Sequence, residues 1–94
     1  MNPNFEWDEE KAKANYRHHK ITFDEGATVF SDAFSNTIPD PDHSTDEERY
    51  LDIGTSDKGR VLVVSYTERG TKIRIISCRR ATPTERRRYE EGNG

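Results

Sequence analysis

The run Val61-Leu62-Val63-Val64 limits this chain's fold more than any other feature. Three of its four side chains are β-branched, and the unbroken apolar stretch reads as a strand covered on both faces. The turn Arg69-Gly70-Thr71 follows, and the chain returns as a second strand over Lys72 to Arg80. A tight turn between two extended runs is a hairpin signal. The centre of the fold is therefore an antiparallel pair, Arg60 to Glu68 against Lys72 to Arg80. The remaining segments must cover it.

Those segments carry clear punctuation. Phe5-Glu6-Trp7 alternates as a short strand or extended entry. Asp8 caps a helix to about His19, with Glu9 and Glu10 in the first turn and Arg17 to His19 in the last, an order that suits the helix dipole. Its apolar face is thin, limited to Ala12 and Tyr16. Thr22-Phe23-Asp24-Glu25 is a capping box, in which hydroxyl and carboxylate satisfy each other's amides. Phe23, Ala27, Phe30 and Phe34 then form the stripe of a second helix over about 23–32. Gly26 inside it points to a close backbone contact. A strand over 33–38 stops at Pro39 and Pro41, an acidic loop runs from Asp40 to Glu48, and a strand follows over Arg49 to Gly54. Thr82-Pro83-Thr84-Glu85 opens a last helix to about Glu91. The expected class is α+β.

Length and charge narrow the function. At 94 residues the chain has room for one domain, residues 1–94, and with 30% apolar residues its core is thin enough to lean on a partner. No run approaches the roughly 18 apolar residues that cross a bilayer. Met1-Asn2-Pro3-Asn4 lacks the basic and apolar stretches of an export signal. A single cysteine, Cys78, cannot form an internal disulfide, so a reducing cytoplasm is expected. The net charge of −3 hides an asymmetry: 12 acidic and 4 basic residues precede Arg49, and 11 basic and 6 acidic follow from it onward. The second half can hold a phosphate-bearing ligand, although mutual neutralisation of the halves also explains the balance.

Metal chemistry is poorly served. His18 and His19 point about 100° apart on a helix, and His43 with Asp40, Asp42 and Asp46 lacks the spacing of a calcium loop, so a solvated acidic loop is the better reading and no metal or cofactor is expected. Cys78 sits in a strand that reads as buried, the ordinary fate of a structural thiol. The arginines say more. Strict alternation puts Arg74 and Arg80 on one face with Lys72, and Arg79 on the other with Ile73, Ile75 and Ser77. A guanidinium on an apolar face needs a phosphate or a carboxylate; Glu85 is one candidate. Arg86, Arg87 and Arg88 occupy different faces of the last helix, and Tyr89 reads as a core anchor, a stacking platform or a proton donor.

Taken in order, the motifs resemble the BrnT family of type II toxin–antitoxin toxins. The residues are F-E-W-D-x-x-K at Phe5 to Lys11, Asn15 and His19, F-x-E-x-A at Phe23 to Ala27, and Pro39 to His43. E-R-Y-L-x-I-G follows at Glu48 to Gly54, and R-V-L-V-V, T-E-R-G, I-R-I-I-S-x-R and A-T-x-x-E-R-x-x-Y run from Arg60 to Tyr89. His18 stands where the family often has lysine, and Cys78 where alanine is usual. The resemblance implies a RelE/ParE-like fold, with two N-terminal helices and a C-terminal helix on a three- or four-stranded antiparallel sheet. It also implies a metal-independent endoribonuclease that inhibits translation and growth. The implied partner is a BrnA-like ribbon-helix-helix antitoxin, which alone touches operator DNA and whose dimer carries toxin monomers.

Metal-free cleavage uses a ribose 2′-hydroxyl against the adjacent phosphate, and needs a base, an acid and cations. On this reading His19, Arg74, Arg79 and Tyr89 are the catalytic candidates: His19 as base or acid, the two arginines for the phosphorane, and Tyr89 to stack or donate. Lys11, Arg60, Arg80 and Arg86 are candidates for RNA phosphates. The alternative is a non-catalytic binding module that acts only with its antitoxin as a repressor complex.

Overall fold

The computed structural model describes residues 4–40 and 47–92. Most of the acidic loop expected from Asp40 to Glu48, including Asp42, His43 and Asp46, lies outside them. Five strands form one sheet in the order β1-β5-β4-β3-β2. They are β1 (Asn4–Glu6), β2 (Asn36–Pro39), β3 (Arg49–Thr55), β4 (Val61–Arg69) and β5 (Lys72–Arg80). The expectation of three or four antiparallel strands is corrected: β1 adds a fifth strand, parallel to β5 with Phe5 opposite Ile73. Three helices complete the described residues: α1 (Glu9–His19), α2 (Phe23–Thr28) and α3 (Pro83–Gly92). None of them is long and apolar enough to cross a membrane.

The central hairpin forms as its sequence demands, with Leu62, Val63 and Val64 each at most 3% exposed. The core lies between α1 and α2 and one face of the sheet, where Ile21, Phe23 and Val29 meet Leu62, Val64, Ile75 and Cys78. Phe5 packs on Phe30 at 5.3 Å, and Trp7 meets Phe23 edge-on at 5.8 Å, so β1 and the entry to α1 close one wall.

The second helix is shorter than its stripe predicts. It stops at Thr28 and tightens into a 3-10 turn at Val29–Ser31. Asp32 then takes the Phe34 amide at 2.9 Å and the Thr55 amide at 2.8 Å, turning the chain out of the helix. Phe34 is left 60% exposed instead of joining the core, and the strand expected over 33–38 begins only at Asn36. Gly26 makes the expected close approach: a β-carbon there would sit 3.0 Å from the Cys78 sulfur. Asn15 clamps α1 to the sheet. Its amide nitrogen donates to the carbonyls of Ile21 and Cys78, at 3.0 and 2.9 Å, and its oxygen accepts the Cys78 N–H at 3.1 Å. Burial pushes the Cys78 thiol up to about 12, which keeps it an unreactive packing group.

Candidate functional site

The sheet's other face is organised by a defect in β5. Ser65 pairs with Ser77, whereas Tyr66 pairs with Ile75, so Ile76 is an extra residue in the ladder. Such a bulge reverses the alternation beyond it. Ile73, Ile75 and Cys78 consequently share the helix-covered face, and Lys72, Arg74, Ser77 and Arg79 share the opposite one. This corrects the expectation from strict alternation, which set Arg79 beside Ile73 and Ile75 and grouped Arg80 with Arg74. Arg79 and Arg74 are brought to one side, and Arg80 leaves it.

Three rows of side chains cross this face. Leu51, Ser65 and Ser77 form the middle row; Ile53, Val63 and Arg79 lie on one side of it, and Arg49, Thr67, Arg74 and Glu6 on the other. The outer rows are four β4 residues apart, about 13 Å. Between them runs an open groove of about 340 Å³, lined by Asp40, Arg49, Leu51, Ser65, Ile76, Ser77 and Arg79. Asp40 enters by extending the ladder past β2: its N–H donates to the Arg49 carbonyl at 2.9 Å.

The cations of this face are held by carboxylates. Arg79 makes a two-pronged contact with Glu85 at 2.7 and 3.0 Å, the pairing the sequence made a candidate. The Arg79 guanidinium holds the Glu85 carboxyl down at about 2, and Glu85 in turn raises Arg79. Glu6 bridges Arg74 at 2.7 Å and Lys72 at 3.9 Å, and Glu47 bridges Arg69 at 3.1 Å and Arg49 at 4.0 Å. Both partners of the Arg79 and Arg74 bridges remain 27–39% exposed, and ion pairs that wet contribute little and exchange readily.

Helix α3 borders the groove. Thr82 and Glu85 form a complete capping box, with the Glu85 amide on the Thr82 hydroxyl at 3.2 Å and the Thr82 amide on the Glu85 carboxylate at 2.9 Å. Tyr89, one turn on from Glu85, donates its hydroxyl to Asp32 and lies 3.0 Å from the Thr55 hydroxyl. Burial, then the bond to Asp32, raises the Tyr89 hydroxyl. Its hydroxyl is thus occupied at β3, away from the groove lining.

On the far side of the first turn of α3 lies a smaller cleft of about 160 Å³, whose lining includes Arg60, Arg80 and Arg86. Arg60 is committed there to Glu25: its Nε donates to Oε2 at 2.9 Å, a second nitrogen meets Oε1, and Ser56 adds a bond at 2.7 Å. Glu25 therefore does not reach back to Thr22, and only the Thr22 half of the expected capping box forms, at 3.1 Å. Arg60 and then Ser56 hold the Glu25 carboxyl low against the opposing effect of burial. His19 is exposed at the C-terminal end of α1, on the covered side of the sheet, and Lys11 is exposed in the first turn of that helix. The structure therefore sets Arg74 and Arg79 on one face, with Arg79 alone of the two lining the groove, and joins Arg60 with Arg80 and Arg86, while His19, Lys11 and the Tyr89 hydroxyl stand apart from the groove. Asp40 and Arg49 were missed as site residues, because only the β2–β3 register brings them to it. Among the described residues no three His, Cys, Asp or Glu side chains group as a metal site.

This arrangement can receive a phosphate among exchangeable guanidinium groups, with hydroxyls and one carboxylate alongside. No curated protein sequence matches the chain significantly. A solved structure, the Brucella abortus ribonuclease toxin BrnT, is similar in fold, with a TM-score of 0.67 and 23% identity over 85% of this chain and 97% of that one. The family model described as the ribonuclease toxin BrnT of type II toxin–antitoxin systems matches residues 7–85. Spanning α1, α2 and the four strands β2 to β5, well over half of the chain, that match settles the family: the chain belongs to the BrnT ribonuclease toxins.

Proposed function

We propose that this ribonuclease toxin cleaves RNA internally without a metal ion, by attack of a ribose 2′-hydroxyl on the adjacent phosphate seated in the β3–β5 groove. The observation that carries the reading is the bulge at Ile76, which turns Arg79 onto the same face as Arg74 and beside the groove that Arg49 also lines. Guanidinium forks match phosphate oxygens and supply positive charge where the phosphorane becomes more negative. Incoming RNA displaces Glu85 from Arg79 and takes its place. Arg80 and Arg86 at the neighbouring cleft, with Lys11 and His19 along α1, hold flanking phosphates, and Arg60 contributes its charge there while it stays forked on Glu25. Tyr89 anchors α3 to Asp32 and Thr55, keeping Glu85 and Arg86 in position.

In this reading residues 1–94 act as one toxin domain in the cytoplasm. A BrnA-like ribbon-helix-helix antitoxin covers it, toxin monomers ride on an antitoxin dimer, and operator DNA is met only through that partner. Its expression arrests translation and growth, and co-expression of the antitoxin restores both. The direct test is RNA cleavage by Arg79→Ala and by the unaltered chain with and without chelator. The expected result is a loss of at least about 100-fold in the variant, with an unchanged circular dichroism spectrum, and no effect of chelator. Full cleavage by Arg79→Ala, or loss of activity in chelator, overturns the mechanism.

A further inference from the structure

Cations alone do not cleave RNA through the 2′-hydroxyl; some group must take its proton. We infer that Asp40 is that general base, an inference that rests on the groove being the site of cleavage. Of the side chains lining the groove, Asp40 alone is a carboxylate. Arg49 and Arg79 are already charged, Leu51 and Ile76 are apolar, and Ser65 and Ser77 are hydroxyls. The two residues whose types first suggest proton transfer stand elsewhere: His19 is exposed at the end of α1, and Tyr89 is bonded to Asp32.

The backbone fixes Asp40 firmly. Its N–H continues the β2–β3 ladder one step beyond the pairing of Pro39 with Tyr50, which sets it opposite Arg49. The residue is only 8% exposed, recessed into the groove wall rather than waving in solvent. A recessed carboxylate facing a groove that also holds Arg79 pairs the two requirements of the reaction, a proton acceptor and a phosphate-binding cation, in one concavity. The 2′-hydroxyl proton passes to the Asp40 carboxylate as the O2′–P bond forms. The P–O5′ bond breaks, the departing 5′-oxygen takes a proton from water, and Asp40 returns its proton to solvent. The products are a 2′,3′-cyclic phosphate and a 5′-hydroxyl, with no net proton change.

The test uses the whole chain and a pool of end-labelled random oligoribonucleotides under single-turnover conditions, beside binding of the same pool with 2′-O-methyl riboses. Asp40→Asn is expected to slow cleavage by about 10²- to 10⁴-fold while binding the methylated pool within twofold of the unaltered protein. The unaltered chain is expected to lose rate toward acid pH, and this variant is expected not to. Asp40→Glu keeps a carboxylate and should cleave at least tenfold faster than Asp40→Asn, with its acid limb intact; it also serves as the readout should the amide variant fail to fold. A rate in Asp40→Asn above one third of normal, or an Asp40→Glu rate independent of pH, overturns the assignment. Loss of activity in Arg79→Ala with full activity in Asp40→Asn removes the base assignment alone, whereas full activity in both removes the groove reading as well.

Discussion

The two faces of the sheet use the same chemical pair, an arginine fork on a glutamate, for different ends. On the helix-covered side Glu25 is buried, its side chain 2% exposed, and Arg60 and Ser56 satisfy it from different elements. On the open side Glu85 and Arg79 are 27% and 39% exposed at the rim of a groove. A carboxylate sealed from water cannot lose its partner without remaining as an uncompensated charge. One at a wet rim is rehydrated at once. Burial of the acid, more than the geometry of the fork, separates a structural bridge from a displaceable one.

The largest effect should come from breaking the buried pair. Arg60→Ala leaves Glu25 with Ser56 and the nearby Lys58 as compensation, and a stability loss of about 3 kcal/mol is expected in urea denaturation. The double replacement Glu25→Gln with Arg60→Met removes both charges and should lose less than either single change. A loss below about 1 kcal/mol for Arg60→Ala would place this bridge in the same class as the one at the rim.

The covered face also holds a second buried carboxylate. Asp52, 2% exposed, takes a bond from Thr37 at 3.4 Å, and burial pushes its carboxyl up to about 6. A carboxyl raised in the folded state binds its proton more tightly there than in the unfolded chain. Its penalty is therefore absent in acid and grows as pH rises from about 4 through 6. Asp52→Asn is expected to stabilise the protein by about 2 kcal/mol at pH 7.5 and by nothing measurable at pH 3.5. An equal gain at both pH values would show that packing, not ionisation, separates the two side chains.

What could be read in the sequence follows from how local each signal is. The caps at Asp8 and Thr82, the Val61–Val64 strand and the Gly70 turn are written within a few residues, and each forms where expected. The pairing of β1 with β5 joins residues 68 positions apart, and three residues carry no pattern that names a partner. Phe34 left the core because Asp32 found acceptor work with Phe34, Thr55 and Tyr89, and two of those partners are remote in sequence. The bulge mattered most for the site. Ile75-Ile76-Ser77-Cys78 reads as a regular strand in isolation, and only the pairing with Ser65 and Tyr66 reveals the extra residue. One unpaired isoleucine decides on which face Arg79 stands. Arg79 and Glu85 were legible as partners because they lie six residues apart across a capping box, but the groove beside them needed Asp40 and Arg49 from the other end of the sheet.

The rim pair allows the finest test of the contrast. Glu85→Gln keeps an acceptor for the Thr82 amide, so the cap of α3 should survive, and the stability change should stay below about 1 kcal/mol. Arg79 loses its competitor for phosphate, and binding of 2′-O-methyl RNA should tighten by about three- to tenfold. The pH dependence has a fixed sign. Glu85 is held down at about 2, so its contribution is complete above the ordinary carboxylate value of about 4.5 and disappears as pH falls through 2. The stability advantage of the unaltered chain over Glu85→Gln, small as it is near neutrality, should accordingly shrink toward zero between pH 4.5 and 2. If the variant instead loses more than about 2 kcal/mol and binds RNA no better, Glu85 belongs with Glu25 as a structural partner, and phosphate reaches Arg79 without displacing it.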